Sequence, residues 1–277
     1  MPDAIYRLRD LCVRHPGASA KTPCVIKQFD LDVARGEQVA VIGPSGAGKT
    51  TLLAALALAR QPDGGTLELF GRQPWALSSA ERHALRRRLF LAPQTPPLPP
   101  RQRVVTAVLA GKLPHWTLLQ ALASLIYPRQ ARLAAAALAP FDLQDKLYSR
   151  VDRLSGGERQ RVSLARLLMA DAEVLLVDEP LSALDPRLAQ QTLNALQDEA
   201  LRRGATLICS LHQVALAHAQ FPRVIGLRDG FKRFDLPRAE VTADMLAALY
   251  AGAEDPPPET APPDAATAAA AGDARCR

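Results

Sequence analysis

Along the first seventy residues apolar positions recur at every second place. AIYRLRDLCV and CVIKQFDLDV both alternate, the pattern of strands with one buried face. EQVAVIG is instead an unbroken apolar run, expected of a strand covered on both faces, and GGTLELFG is a further strand between glycine turns. The period then changes: TTLLAALALAR, residues 50–60, is rich in Leu and Ala and reads as a helix. From about residue 75 to 153 the pattern is mainly helical. A short strand at RLFLAPQ, residues 88–94, interrupts it, and so does TPPLPP, where proline forbids helix. Residues 173–178 and 206–211 are again apolar strands, with helices before and between them. Strand–helix alternation of this kind predicts a parallel sheet with covered faces, in an α/β fold. Beyond about residue 252 Pro and Ala dominate, so residues 252–277 read as a disordered tail.

Composition narrows the picture. At 277 residues, 48% hydrophobic and 22% charged, the chain has ordinary globular usage and can bury a full core. The opening MPDAIYRLRD carries charge where a secretory signal needs an apolar segment. No stretch reaches membrane-spanning length: the longest uncharged run, LPHWTLLQALASLIYP at residues 113–128, is short and bounded by prolines. Cys12, Cys24, Cys209 and Cys276 show no C-x-x-C spacing and no His at ligand distance, so reduced thiols are expected. The net charge of +6 comes with arginine groups such as Arg86, Arg87 and Arg88, and Arg101 with Arg103. They read either as a surface for nucleic acid or anionic lipid, or as solvated helix faces. Aromatic residues are only 5% and do not interleave with the arginines, which favours solvated faces and no nucleic-acid partner.

Two segments carry chemistry. Gly43, Pro44, Ser45, Gly46, Ala47, Gly48, Lys49 and Thr50 match G-x-x-x-x-G-K-[ST] at every fixed position, with a strand entering and a helix leaving. The glycines let successive N–H groups converge on a phosphate at a helix N-terminus. Lys49 can reach the β- and γ-phosphates of a nucleotide, the Thr50 hydroxyl can ligate Mg²⁺, and Thr51 stands beside it. Further on, VLLVDEP ends a buried strand in two acids, at the carboxyl edge where open α/β sheets bind ligands. Neighbouring strand residues face opposite ways, so Asp178 is expected to serve the metal and Glu179 the attacking water.

LSGGERQ, residues 154–160, resembles the signature sequence of ATP-binding cassette (ABC) ATPases, and the order of motifs over residues 4–250 resembles theirs. The resemblance implies a P-loop NTPase fold: a RecA-like parallel sheet core, an N-terminal antiparallel β subdomain, and an inserted helical subdomain at about residues 75–160. It also implies that Gln94 is the Q-loop glutamine, which senses the γ-phosphate, serves the metal and contacts the membrane partner, that Ser182, Ala183, Leu184 and Asp185 form the D-loop, and that His212 is the switch histidine. Ser155 and Glu158 are spaced as a helix-capping box as well. By resemblance Ser155, Gly156 and Gly157 close over the nucleotide of a second copy in a head-to-tail dimer. The adenine-stacking place, aromatic in most relatives, holds His15, with Tyr6 the alternative if the strand register differs.

Residues 108–128 and 211–230 look like the corresponding stretches of phosphonate-importer ATPases, although Leu236 stands where that subfamily commonly has glycine. The resemblance implies membrane permease subunits as partners, a periplasmic solute-binding protein acting indirectly, and a peripheral place on the cytoplasmic face of the inner membrane. An ABC ATPase acting on DNA or the ribosome is the rival. DNA-repair relatives need coiled coils that a 106-residue gap between Lys49 and Ser155 excludes, and ribosome-acting ones usually carry two cassettes. A P-loop kinase or GTPase gives no reason for the signature or the late histidine. Trp116, Leu119, Leu122, Ala123 and Ile126 recur at helical spacing, which predicts a core-facing helix or, less favoured, a docking surface for a cytoplasmic helix of the permease.

Overall fold

A computed structural model describes residues 4–252, apart from residues 16, 20, 127, 128 and 183. The chain runs β1 (Ala4–Val13), β2 (Ile26–Ala34), β3 (Gln38–Ile42), α1 (Lys49–Leu56), β4 (Gly64–Leu69), α2 (Ser79–Arg86) and β5 (Leu89–Ala92). Then come α3 (Val104–Leu109), α4 (Leu118–Ile126), α5 (Ala131–Leu138), α6 (Gly156–Met169) and β6 (Val174–Asp178). It ends with α7 (Pro186–Arg203), β7 (Thr206–Leu211), α8 (Val214–Gln220), β8 (Arg223–Arg228), β9 (Phe231–Pro237) and α9 (Ala243–Tyr250).

The strands form two sheets. β2-β1-β4 is antiparallel, and β5-β6-β7-β3-β8-β9 is parallel as far as β8, with β9 antiparallel at its edge. The unbroken apolar runs are explained by a core on each face of the larger sheet. In β3, Val39 and Val41 join the core shared with the antiparallel sheet and α1, while Ala40 and Ile42 join the core shared with the later helices. β6 divides likewise, Val174 and Leu176 against Leu175 and Val177. Tyr6 is fully buried in β1 and donates its hydroxyl to the Leu56 carbonyl at 2.8 Å, tying the small sheet to the end of α1. At the opposite sheet edge Arg88 forks onto Glu173 at 2.5 and 2.8 Å, and Arg35 adds a third contact at 2.7 Å. The Arg88 hydrogen bonds, with those of Arg35, hold the Glu173 carboxyl down at about 2.

Several expectations are corrected. β8 and β9 were not predicted: RVIGLR is short, and FKRFDLP, paired with it across a bulge at Gly226, lacks clean alternation. The helix expected over residues 50–60 stops at Leu56, because the chain turns through a left-handed residue at Leu58 (φ 54°). The core-facing reading of α4 fails, since Leu118, Leu119, Leu122 and Leu125 are 75, 79, 51 and 61% exposed. Nor are the cysteines all reduced. Cys12 and Cys24 form a disulfide with Cα atoms 5.8 Å apart, while Cys209 is a buried free thiol. The reason is the β1–β2 hairpin: Val25 N–H donates to the Val13 carbonyl at 2.7 Å, which brings each neighbouring cysteine alongside the other. A twelve-residue separation carries no motif from which that contact could be read. The tail and Cys276 lie outside the described residues. Among the described residues no helix is long and apolar enough to cross a membrane.

Candidate active site

The loop between β3 and α1 is built where only glycine fits. Gly43 has φ 153°, and a β-carbon there would lie 1.9 Å from the Leu227 carbonyl oxygen; at Gly48, φ 106°, it would lie 2.8 Å from Ile26 Cδ1. The loop therefore curls against β8 and the start of β2. Thr50 is exposed at the first turn of α1, with Thr51 half-buried beside it, and no acid occupies that turn. Lys49 folds back into the loop: its Nζ donates to the carbonyls of Gly43 at 2.8 Å and Pro44 at 3.2 Å. Its side chain is only 4% exposed.

Asp178 and Glu179 sit at the carboxyl end of β6, both buried. Asp178 Oδ1 accepts from Ser210 Oγ at 2.6 Å, directly across the parallel β6–β7 register. Glu179 has φ 48°, a conformation a glutamate adopts only when its surroundings impose it. They do. Its N–H donates to Ser210 Oγ at 3.0 Å and Ser210 O at 3.2 Å, and its carbonyl accepts from the buried Gln160 Nε2 at 2.6 Å. The carboxylate is thereby aimed at the phosphate loop. Oε1 lies 2.5 Å from His212 Nε2 and 3.8 Å from Lys49 Nζ, and Oε2 accepts from Gln94 Nε2 at 2.6 Å.

One carboxylate thus brings together Gln94, Lys49 and His212, which are far apart in sequence. Ser155, Gly156 and Gly157 lie elsewhere, at the start of α6. The capping box is formed there: Glu158 N–H donates to Ser155 Oγ at 3.2 Å, and Ser155 N–H to Glu158 Oε2 at 2.7 Å. A β-carbon on Gly156 would meet nothing within 4 Å, so this chain's own packing does not require glycine there. His15 is exposed in the loop after β1. Tyr6, enclosed in the core, is removed as the adenine-stacking alternative. Asp185 N-caps α7, accepting from Leu188 N–H at 3.0 Å, while Ala183 of the expected D-loop lies outside the described residues.

Thr50, Asp178 and Gln94 offer hard oxygen donors. Among the described residues no cluster of three or more His, Cys, Asp or Glu could cage a metal by itself. That donor set fits Mg²⁺, which keeps waters and takes further ligands from substrate phosphates.

The ABC transporter family model matches residues 26–182, a span that holds the phosphate loop after β3 and the acid pair at the end of β6. The chain belongs to the ABC transporter family. It is 58% identical over 245 residues to a phosphonates import ATP-binding protein of Polaromonas sp., covering 88% of each chain. It is 57% identical over 244 residues to a second such protein from Albidiferax ferrireducens, again covering 88% of each. In fold it is similar to the ATP-binding cassette MJ0796 in a dimeric post-hydrolysis state (TM-score 0.73, 22% identity, 84% of this chain and 98% of that one). It is similar also to cbiO1 of Clostridium perfringens (TM-score 0.70, 21% identity, 86% and 90%). As an ABC protein it shows two site residues that the motifs alone did not assign, Gln160 and Ser210. Both carried a faint signal: Gln160 ends the LSGGERQ string, and Ser210 is a buried polar residue in an otherwise apolar strand.

Proposed function

We propose that this chain is the ATP-hydrolysing subunit of an ABC importer for phosphonate or a related oxyanion, working through a separate permease. The observation that carries the catalytic half is the buried Glu179 carboxylate, held in reach of Lys49, Gln94 and His212. ATP enters with its phosphates on the N–H groups of the Gly43–Lys49 loop, and Lys49 exchanges its Glu179 contact for the terminal phosphates. Freed from Lys49, Glu179 accepts a proton from a water that attacks the γ-phosphorus in line, and the bond to the bridging oxygen of ADP breaks. His212 and Gln94, both already on Glu179, orient the carboxylate and report the γ-phosphate. Thr50, Asp178 and Gln94 would hold Mg²⁺, which would supply charge neutralisation of the phosphates. Ser210 keeps Asp178 and Glu179 in place.

Two copies form the working unit. The Ser155-Gly156-Gly157 turn presents open space and backbone N–H groups at the start of a fourteen-residue helix, a place suited to an anion brought by a second copy. Each turn closes on the other copy's γ-phosphate, giving two identical sites. His15 lies against the adenine. Closure and reopening move the permease at the cytoplasmic face of the cell membrane, and a periplasmic solute-binding protein delivers the solute. Phosphonate import is supported by relatives of 57–58% identity that carry that name. Reconstitution with the permease tests it: phosphonate-loaded binding protein should stimulate ATP turnover, and absence of stimulation would refute the substrate assignment.

A further inference from the structure

We infer that α4 and the basic surface around it contact an anionic lipid bilayer directly, independently of any permease. This goes beyond the ATPase and its permease partnership. α4 is a nine-residue helix without a charged residue, and its leucines at 118, 119, 122 and 125 each stand more than half exposed, with Leu113 adding 44%. Contiguous exposed apolar surface of this kind marks a contact with a partner or a membrane.

Charge identifies which. From residue 82 to residue 141 there is no Asp or Glu, while Lys and Arg number nine. Arg88 is taken up by Glu173 and Arg86 by the Leu58 carbonyl, and Arg87, Arg129 and Arg132 belong to the surface around α4. The whole chain carries +6, so everything outside this stretch is net −3. The two hollows beside α4 carry the same bias. One, about 530 Å³, is lined by His83, Arg87 and Arg166 together with Leu113, Pro114 and Trp116, and holds no acid. Arg166 Nε is buried there without a partner, and its guanidinium stands 5.9 Å from the Phe90 ring. The other, about 350 Å³, brings Arg129 beside Trp116, Leu119 and Gln120, again without an acid.

A bilayer interface offers acyl chains for apolar side chains and phosphates for cations on one broad plane. α4 answers both: its leucines enter the acyl boundary, Trp116 stands at headgroup level, and Arg87, Arg129 and Arg132 face lipid phosphates. A permease helix would ask for a concave apolar groove. Leu118, Leu122 and Leu125 line neither hollow and stand exposed on the helix instead. Nucleic acid would use the cations and leave the leucines in water.

Vesicle co-sedimentation of the full chain, without permease, tests this. The chain should bind phosphatidylcholine vesicles containing about 30% phosphatidylglycerol, and pure phosphatidylcholine far more weakly, with binding falling as salt is added. L119S/L122S should weaken binding at least ~10-fold, and R129Q/R132Q should remove the preference for the anionic lipid. Unchanged ATP turnover in both variants shows that the fold is intact. Equal binding to both vesicles, or full binding by L119S/L122S, overturns the inference. So does binding seen only when permease is present, which assigns α4 to a protein interface. None of these results bears on the ATPase reading, because vesicle binding itself is measured without nucleotide.

Discussion

Replacing Glu179 by Gln removes one charge and keeps the shape, so it isolates what the carboxylate does. Oε1 lies 3.8 Å from Lys49 Nζ, with the two side chains 10 and 4% exposed. Unit charges at that separation attract by about 4 kcal/mol at an effective dielectric near 20. Desolvation offsets much of this, leaving a net pairing on the order of 1–2 kcal/mol that incoming phosphates must displace. E179Q removes the competition, and it removes the repulsion between carboxylate and γ-phosphate as well. ATP should therefore bind about tenfold more tightly, while hydrolysis falls by about 10²–10³ through loss of the base. Titration with a fluorescent ATP analogue and single-turnover phosphate release measure the two effects separately. Near wild-type hydrolysis in E179Q would remove Glu179 from the base role, and weaker ATP binding would refute the competition with Lys49.

Two further substitutions test the frame of the site. G43A places a methyl 1.9 Å from the Leu227 carbonyl at φ 153°, so it should lower stability by about 2–5 kcal/mol and shift the loop, read by thermal unfolding with and without ATP. In E173Q the group lost is a carboxylate whose folded value, about 2, lies below its ordinary 4.5, so its contribution is present above 4.5 and is lost as pH falls through 2. With its side chain 39% exposed, solvent screening reduces that contribution to about 1 kcal/mol at pH 7; the gap between wild type and E173Q in urea titrations should narrow below pH 4.5.

The phosphate loop and the acid pair were legible because their chemistry fixes both residue type and spacing. The central strands were legible because burial on two faces leaves only apolar residues. Edge elements are less constrained. β9 is paired on one side and its FKRFDLP mixes charge into the strand, so its periodicity is lost. α4 misled for the opposite reason: its spacing of leucines is that of a buried helix, and only tertiary packing shows that the apolar side faces outward. The Cys12–Cys24 bridge depends on a hairpin contact, and spacing rules built on metal or redox motifs do not describe it. Within the site, Gln94, His212 and Lys49 were named singly. Their convergence on Glu179 depends on its left-handed backbone, which no local pattern encodes.

The claim on which the mechanism rests is that a complete site takes a phosphate loop from one copy and a Ser155-Gly156-Gly157 turn from another. Steady-state ATP turnover per chain, measured across a dilution series with light scattering to follow association, tests it directly. Turnover per chain should rise with concentration and level off once the chains are paired. Equal turnover per chain in samples that scatter as monomers would contradict it.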